Sequence, residues 1–112
     1  MPNKINIRQR QVVYRKAIER FGPPNQMIKA IEEMSELTKV LAKILVMGGE
    51  VSLDDIIEEL ADVKVTFEQM VHLMNAEDGI SEIIAFKVKR TYERMGWNEG
   101  RKNDGTKSGT QG

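Results

Sequence analysis

Three breaks do most to constrain what this chain can fold into: Gly22-Pro23-Pro24, Gly48-Gly49 and Glu77-Asp78-Gly79. A glycine frees the backbone and a proline cannot continue a hydrogen-bond ladder, so each break ends the element before it. Between the breaks, apolar residues recur with the period of a helix rather than a strand. The first segment, Ile5 to Phe21, sets Val13, Ala17 and Phe21 four positions apart. The second, with Asn25 as its predicted N-cap, runs to about Met47. It carries Ile28, Ile31, Met34, Leu41, Leu45 and Val46 in a broad apolar arc. The third opens at Ser52, where Ser52-x-x-Asp55 reads as a capping box, and continues to about Ala76. Its expected core stripe is Ile56, Leu60, Val63, Phe67, Met70 and Met74. The fourth, capped by Ser81, runs to about Met95 with Ile83, Ile84, Phe86 and Val88 on its apolar side. Four helices with short connections predict an all-α, four-helix bundle-like domain.

At 112 residues there is room for one such domain, over 1–97. From Asn98 to Gly112 the chain has four glycines and no large apolar residue, so a disordered Gly-rich tail is expected. The second and third segments carry more apolar surface than a bundle of this size needs. That surplus predicts a homo-oligomer, dimer or tetramer, although any single one of Met34, Met47, Met70 and Met74 is more simply read as filling the core. Seventeen basic residues balance seventeen acidic ones, so no global field draws the chain to a nucleic acid polymer or a membrane. There is no apolar run of the ~20 residues that cross a bilayer, nor a signal-peptide core, and a cytoplasmic protein is expected. Without cysteine, and with His72 the sole histidine, thiol chemistry and histidine-rich zinc or copper sites are excluded.

The functional signal is a pair of acidic clusters on the second and third segments: Glu32-Glu33-x-x-Glu36 and Glu58-Glu59-x-x-Asp62. Positions three apart on a helix share a face, so Glu33 pairs with Glu36 and Glu59 with Asp62. Their azimuths fall beside or within the apolar stripes. Unpaired carboxylates on such faces cost several kcal/mol each, so they need either a cation or raised pKa values. All-oxygen ligation favours a hard ion, Mg²⁺ or Mn²⁺, and Mg²⁺ commonly shares its shell with water and substrate phosphates. A carboxylate not engaged by metal would serve as general base, and Glu32, Glu33 and Glu36 are all candidates.

The two acidic phrases in this order, together with Gly22-Pro23-Pro24-Asn25-Gln26-Met27 and Glu58-Glu59-Leu60-Ala61-Asp62-Val63, resemble the signature of the MazG-like all-α nucleoside triphosphate pyrophosphatases. The resemblance spans about Phe21 to Trp97. It implies a MazG-type helical domain completed by oligomerisation, with Glu33, Glu36, Glu59 and Asp62 as Mg²⁺ ligands. It also implies cleavage of the α–β phosphoanhydride of a nucleoside triphosphate, giving monophosphate and pyrophosphate. Lys87, Arg90 and Arg94, spaced by three and four, form a cationic row expected to bind substrate phosphates, with Lys29 a further candidate. The rival readings are a non-catalytic helical interaction module, and the same fold acting on phosphoribosyl-ATP. A di-iron bundle is disfavoured because neither cluster contains a histidine. His72 is expected at a surface or interface, Asp55 at a helix N-terminus and Trp97 packed at a helix end.

Overall fold

A computed structural model describes residues 4–47 and 50–96. It contains four α-helices: α1 (Ile7–Phe21), α2 (Pro23–Met47), α3 (Leu53–Met74) and α4 (Glu77–Arg94). Among the described residues there is no strand, so the chain is all-α as its periodicity predicts. Trp97 and the Gly-rich tail lie outside the described residues. Two compact units divide the chain at Ala76, the first built from α1–α3 and the second around α4.

The helix boundaries differ from the expected ones in instructive ways. α1 begins at Ile7 rather than Ile5 because Asn6 caps it. The Asn6 side chain accepts from Gln9 N–H and the Gln9 side chain accepts from Asn6 N–H, both at 2.9 Å. α2 begins at Pro23, not after Asn25. Proline lacks an N–H that the first turn leaves unpaired anyway, and its fixed φ suits that turn. The first α2 bond runs from Gln26 N–H to the Gly22 carbonyl at 3.2 Å. Asn25 instead closes α1, donating from Nδ2 to the Phe21 carbonyl at 2.6 Å. Gly22 joins the two helices at φ +89°, a conformation that side-chain-bearing residues rarely adopt.

Ser52 caps α3 as expected, its hydroxyl accepting from Asp55 N–H at 3.1 Å. The helix stops at Met74 rather than Ala76 because Asn75 turns left-handed at φ 52°. Asn75 N–H then donates to the His72 carbonyl and Ala76 N–H to the Val71 carbonyl, a Schellman closure. α4 begins at Glu77, not after Ser81. The Glu77 and Asp78 carboxylates favour the positive end of a helix there, and Gly79 is absorbed into the first turn.

In the first unit α2 and α3 pair most extensively, and α1 packs on both. The buried residues are few and small in apolar content: Tyr14, Ala30, Gln26 and Thr66. A polar latch ties α1 to α3. The Tyr14 hydroxyl donates to Glu68 Oε1, and Arg10 Nε meets the same oxygen at 3.1 Å. Lys64 Nζ lies 3.3 Å from Glu68 Oε2. Burial, and then the Glu68 carboxylate, push the Tyr14 hydroxyl up to about 12. Burial acts to raise the Glu68 carboxyl, but the Tyr14 hydrogen bond and the Lys64 and Arg10 cations outweigh it and hold the group below its ordinary range.

The expected core stripes are largely uncovered. Leu45 and Val46 are 83% and 81% exposed, Ile31 60%, and Leu60 and Phe67 about half exposed. Met34 and Met74 are exposed too. Two long apolar helices and one short partner cannot enclose all of these side chains. The periodicity that marks a helix face as apolar does not say whether the same chain covers it.

In the second unit, α4 buries no residue. Ile83, Ile84, Phe86 and Val88 are all exposed, and the Arg90 guanidinium lies 5.5 Å from the Phe86 ring centroid.

Candidate metal centre and adjoining cleft

The paired α2 and α3 bring three of the predicted acids together. Oxygens of Glu33, Glu59 and Asp62 all lie within 4.8 Å of one another. Each arrives by helical geometry: Glu33 projects from the face of α2 that meets α3, and Glu59 and Asp62 sit one turn apart on α3. All three residues are half-buried. The Glu33 side chain is only 14% exposed.

The electrostatics are those of crowded like charges. The Glu59 carboxyl is pushed up, first by burial and then by Asp62, Glu36, Glu33 and Glu58. The burial is local. The residue as a whole is half-exposed, while its Oε1 is closed off from solvent with no hydrogen-bond partner among the described residues. A cation partly offsets the crowding. Lys29 Nζ sits 2.9 Å from Glu33 Oε2, one helical turn earlier on α2. The hydrogen bond to Glu33, then the Glu33 charge, raise the Lys29 ammonium above its usual value.

The donor set fits a hard divalent ion. Oxygens bound to Mg²⁺ at about 2.1 Å lie about 3 Å apart when adjacent and about 4 Å when opposite. Three carboxylates already gathered within 4.8 Å need shift little to meet that requirement. The orphaned Glu59 oxygen is a lone-pair donor that gains a partner when a cation binds.

Glu36 and Glu32 occupy other positions. Glu36 is 51% exposed and pairs with Lys39 at 3.6 Å, though its charge still reaches Glu59. Glu32 is exposed and its charge acts on Lys29. Asp55 stays in the first turn of α3, where its N–H donates to Ser52. His72 lies in the last turn of α3, half-buried, ten residues from Asp62. Lys87, Arg90 and Arg94 lie on α4 in the second unit. Lys87 and Arg94 are exposed, and Arg90 Nε is enclosed without a hydrogen-bond partner among the described residues.

Glu33 and Asp62 also line a cleft of about 420 Å³ formed by α1, α2 and α3. This volume is in the range of small-molecule sites. Its apolar lining comes from Ala17, Phe21 and Val65, and its polar lining includes Gln26, Lys29 and Gln69. Gln69 did not stand out in the sequence, where glutamine carries no charge pattern, and Gln26 entered only as part of the Gly22-Pro23-Pro24-Asn25-Gln26-Met27 phrase. Gln26, Lys29 and Glu33 nevertheless recur at three and four positions along α2, the spacing of one helix face. No protein-family model, curated protein or solved structure matches the chain.

Proposed function

We propose that the first unit is a divalent-cation-dependent phosphoanhydride site. Its reaction is that of the MazG-like pyrophosphohydrolases: a nucleoside triphosphate and water give a nucleoside monophosphate and pyrophosphate. One observation carries the proposal. Three carboxylates from two helices converge at the edge of a cleft, and one of their oxygens is closed off from solvent with no hydrogen-bond partner among the described residues. Crowding of this kind opposes folding unless a cation relieves it, and a built cleft beside it gives the cation a reason to be there.

Glu33, Glu59 and Asp62 would hold Mg²⁺, or Mn²⁺ in its place. A bound ion of this class supplies charge neutralisation for a polyphosphate and lowers the pKa of nearby water. Lys29, now engaged by Glu33, stands at the cleft wall where a phosphate oxygen could replace that carboxylate. Glu32 and Glu36, exposed on the same helix, and Glu33 itself are the groups available to take the proton of the attacking water. Water adds to the α-phosphorus and the α–β bridging oxygen departs with the β-phosphate, so atoms and charge balance without a redox partner. Phosphoribosyl-ATP offers the same bond and is a sibling substrate.

The test is a panel of (d)NTPs and phosphoribosyl-ATP incubated with the purified protein and Mg²⁺. Pyrophosphate release that stops on chelation is expected. Orthophosphate as the only product, or no turnover across the panel, defeats the proposal.

The exposed apolar faces of α2 and α3 support a homo-oligomer, dimer or tetramer, in the same reading. They also favour the rival, an interaction module whose acids pair with cations of another subunit. Light scattering on the purified protein is expected to report at least twice the 12.8 kDa chain mass. A monomer at micromolar concentration removes this support. Stabilisation by Mg²⁺ separates the enzyme from the module, which predicts none.

A further inference from the structure

The polar groups lining the cleft are unequally occupied. Asn25 is committed to the Phe21 carbonyl and the Thr66 hydroxyl to the Val63 carbonyl. Gln26 is not. The residue is only 6% exposed, it lines the cleft, and its carboxamide makes no hydrogen bond with any described residue. The residue is buried, but its amide atoms are not closed off from solvent as Glu59 Oε1 is, so the cleft wall presents a donor and an acceptor that no described residue engages and that a ligand can meet. Gln69 lines the same cleft from α3, half-buried and likewise uncommitted.

The position of these amides says which part of a ligand they meet. Gln26 is seven residues from Glu33 on α2, and Gln69 seven from Asp62 on α3, each about 10 Å along its helix. An extended nucleotide whose phosphates lie at the acids carries its base edge over a comparable distance. The same cleft has apolar lining from Ala17, Phe21 and Val65, which suits the faces of a flat ring rather than a sugar. A carboxamide sets one donor beside one acceptor in a plane, matching the amide or amidine edge of a nucleobase.

We propose that Gln26 is a specificity-determining residue: its carboxamide, with Gln69 opposite, pairs with the hydrogen-bonding edge of a nucleobase seated on Ala17, Phe21 and Val65. This rests on the phosphoanhydride reading for the orientation of the nucleotide, but its test does not require turnover. Titration calorimetry of the full chain in Mg²⁺ buffer compares nucleoside 5′-monophosphates of the five bases with ribose 5-phosphate. In the wild type, at least one nucleotide should bind tenfold or more tighter than ribose 5-phosphate. Gln26→Met, which keeps the volume and removes the amide, should erase that difference and leave ribose 5-phosphate binding unchanged. The Tm should stay near that of the wild type, because the amide atoms are not sealed from solvent and no described residue pairs with them.

The proposal is overturned if no nucleotide outbinds ribose 5-phosphate, or if Gln26→Met keeps the preference. It is also overturned if Gln26→Met and Gln26→Leu both lower the Tm, since the amide would then have a partner within the protein. The two readings fail separately. Base preference without pyrophosphate release leaves the base seat standing and removes the hydrolase. Pyrophosphate release that is equal in wild type and Gln26→Met across the panel does the reverse.

Discussion

Replacing Glu59 with glutamine is expected to reduce Mg²⁺-dependent pyrophosphate release by about a hundredfold or more while making the metal-free chain more stable. Both effects come from one cause. The Glu59 carboxylate is forced beside Asp62 and Glu33 with one oxygen closed off from solvent, and burial and repulsion together raise its pKa. Glutamine keeps the shape, removes the charge, and relieves the crowding that, in the proposed function, a bound cation would relieve. The pH dependence provides a second check. A carboxyl with a raised folded-state pKa binds more protons in the folded than in the unfolded chain between the two pKa values. The metal-free wild type should therefore gain stability as pH falls through that window. Glu59→Gln should lose this gain. Thermal melts with and without Mg²⁺, alongside the turnover assay, read all three quantities. A variant that is less stable than wild type, or that keeps Mg²⁺ stabilisation and turnover, contradicts this account of Glu59.

The largest effect on stability is expected at Glu68. In Glu68→Ala the Tyr14 hydroxyl loses its acceptor inside the α1–α3 contact, and Arg10 and Lys64 lose their counter-charge. A loss of about 2–3 kcal/mol is expected, most of it from leaving the buried hydroxyl unsatisfied. A urea titration measures it directly. The pH dependence runs opposite to that of Glu59. Glu68 has a depressed folded-state pKa, so its contribution is present above the ordinary carboxylate value and is lost as pH falls through the folded one. At the alkaline end Tyr14 acts in the other direction. Its folded-state pKa, raised to about 12, means stability is full below its ordinary value of 10.0 and declines as pH climbs towards 12. Glu68→Ala should flatten the acid limb. An unchanged urea midpoint would show that the latch does not contribute to holding α1 on α3.

Local chemistry made much of the fold legible in the chain itself. Apolar residues at helical spacing, Gly22 between α1 and α2, and Ser52 before α3 all act within a few residues of themselves, and the helices appeared where they indicated. The errors were also local, and each has a competing rule behind it. Pro23 starts α2 because the first turn tolerates proline, which freed Asn25 to close α1. Asn75 ends α3 by taking up the left-handed conformation, so the turn fell there and Glu77-Asp78-Gly79 opened α4.

At the candidate site, the sequence by itself determined that Glu33 with Glu36, and Glu59 with Asp62, would share helix faces, because the α-helical repeat is a property of every chain segment that forms one. It also determined that the site would be all-oxygen, since the chain has no cysteine and a single histidine. Only the tertiary structure decided which acids meet. The rotation of α2 against α3 brings Glu33 to Glu59 and Asp62 and leaves Glu36 beside Lys39, a choice made by packing between residues far apart in sequence. The same packing left Leu45, Val46 and Ile31 uncovered and buried Gln26 in the cleft wall. Periodicity sorts side chains around one helix axis. Burial depends on what lies across from that axis, and that is settled only when the helices pair.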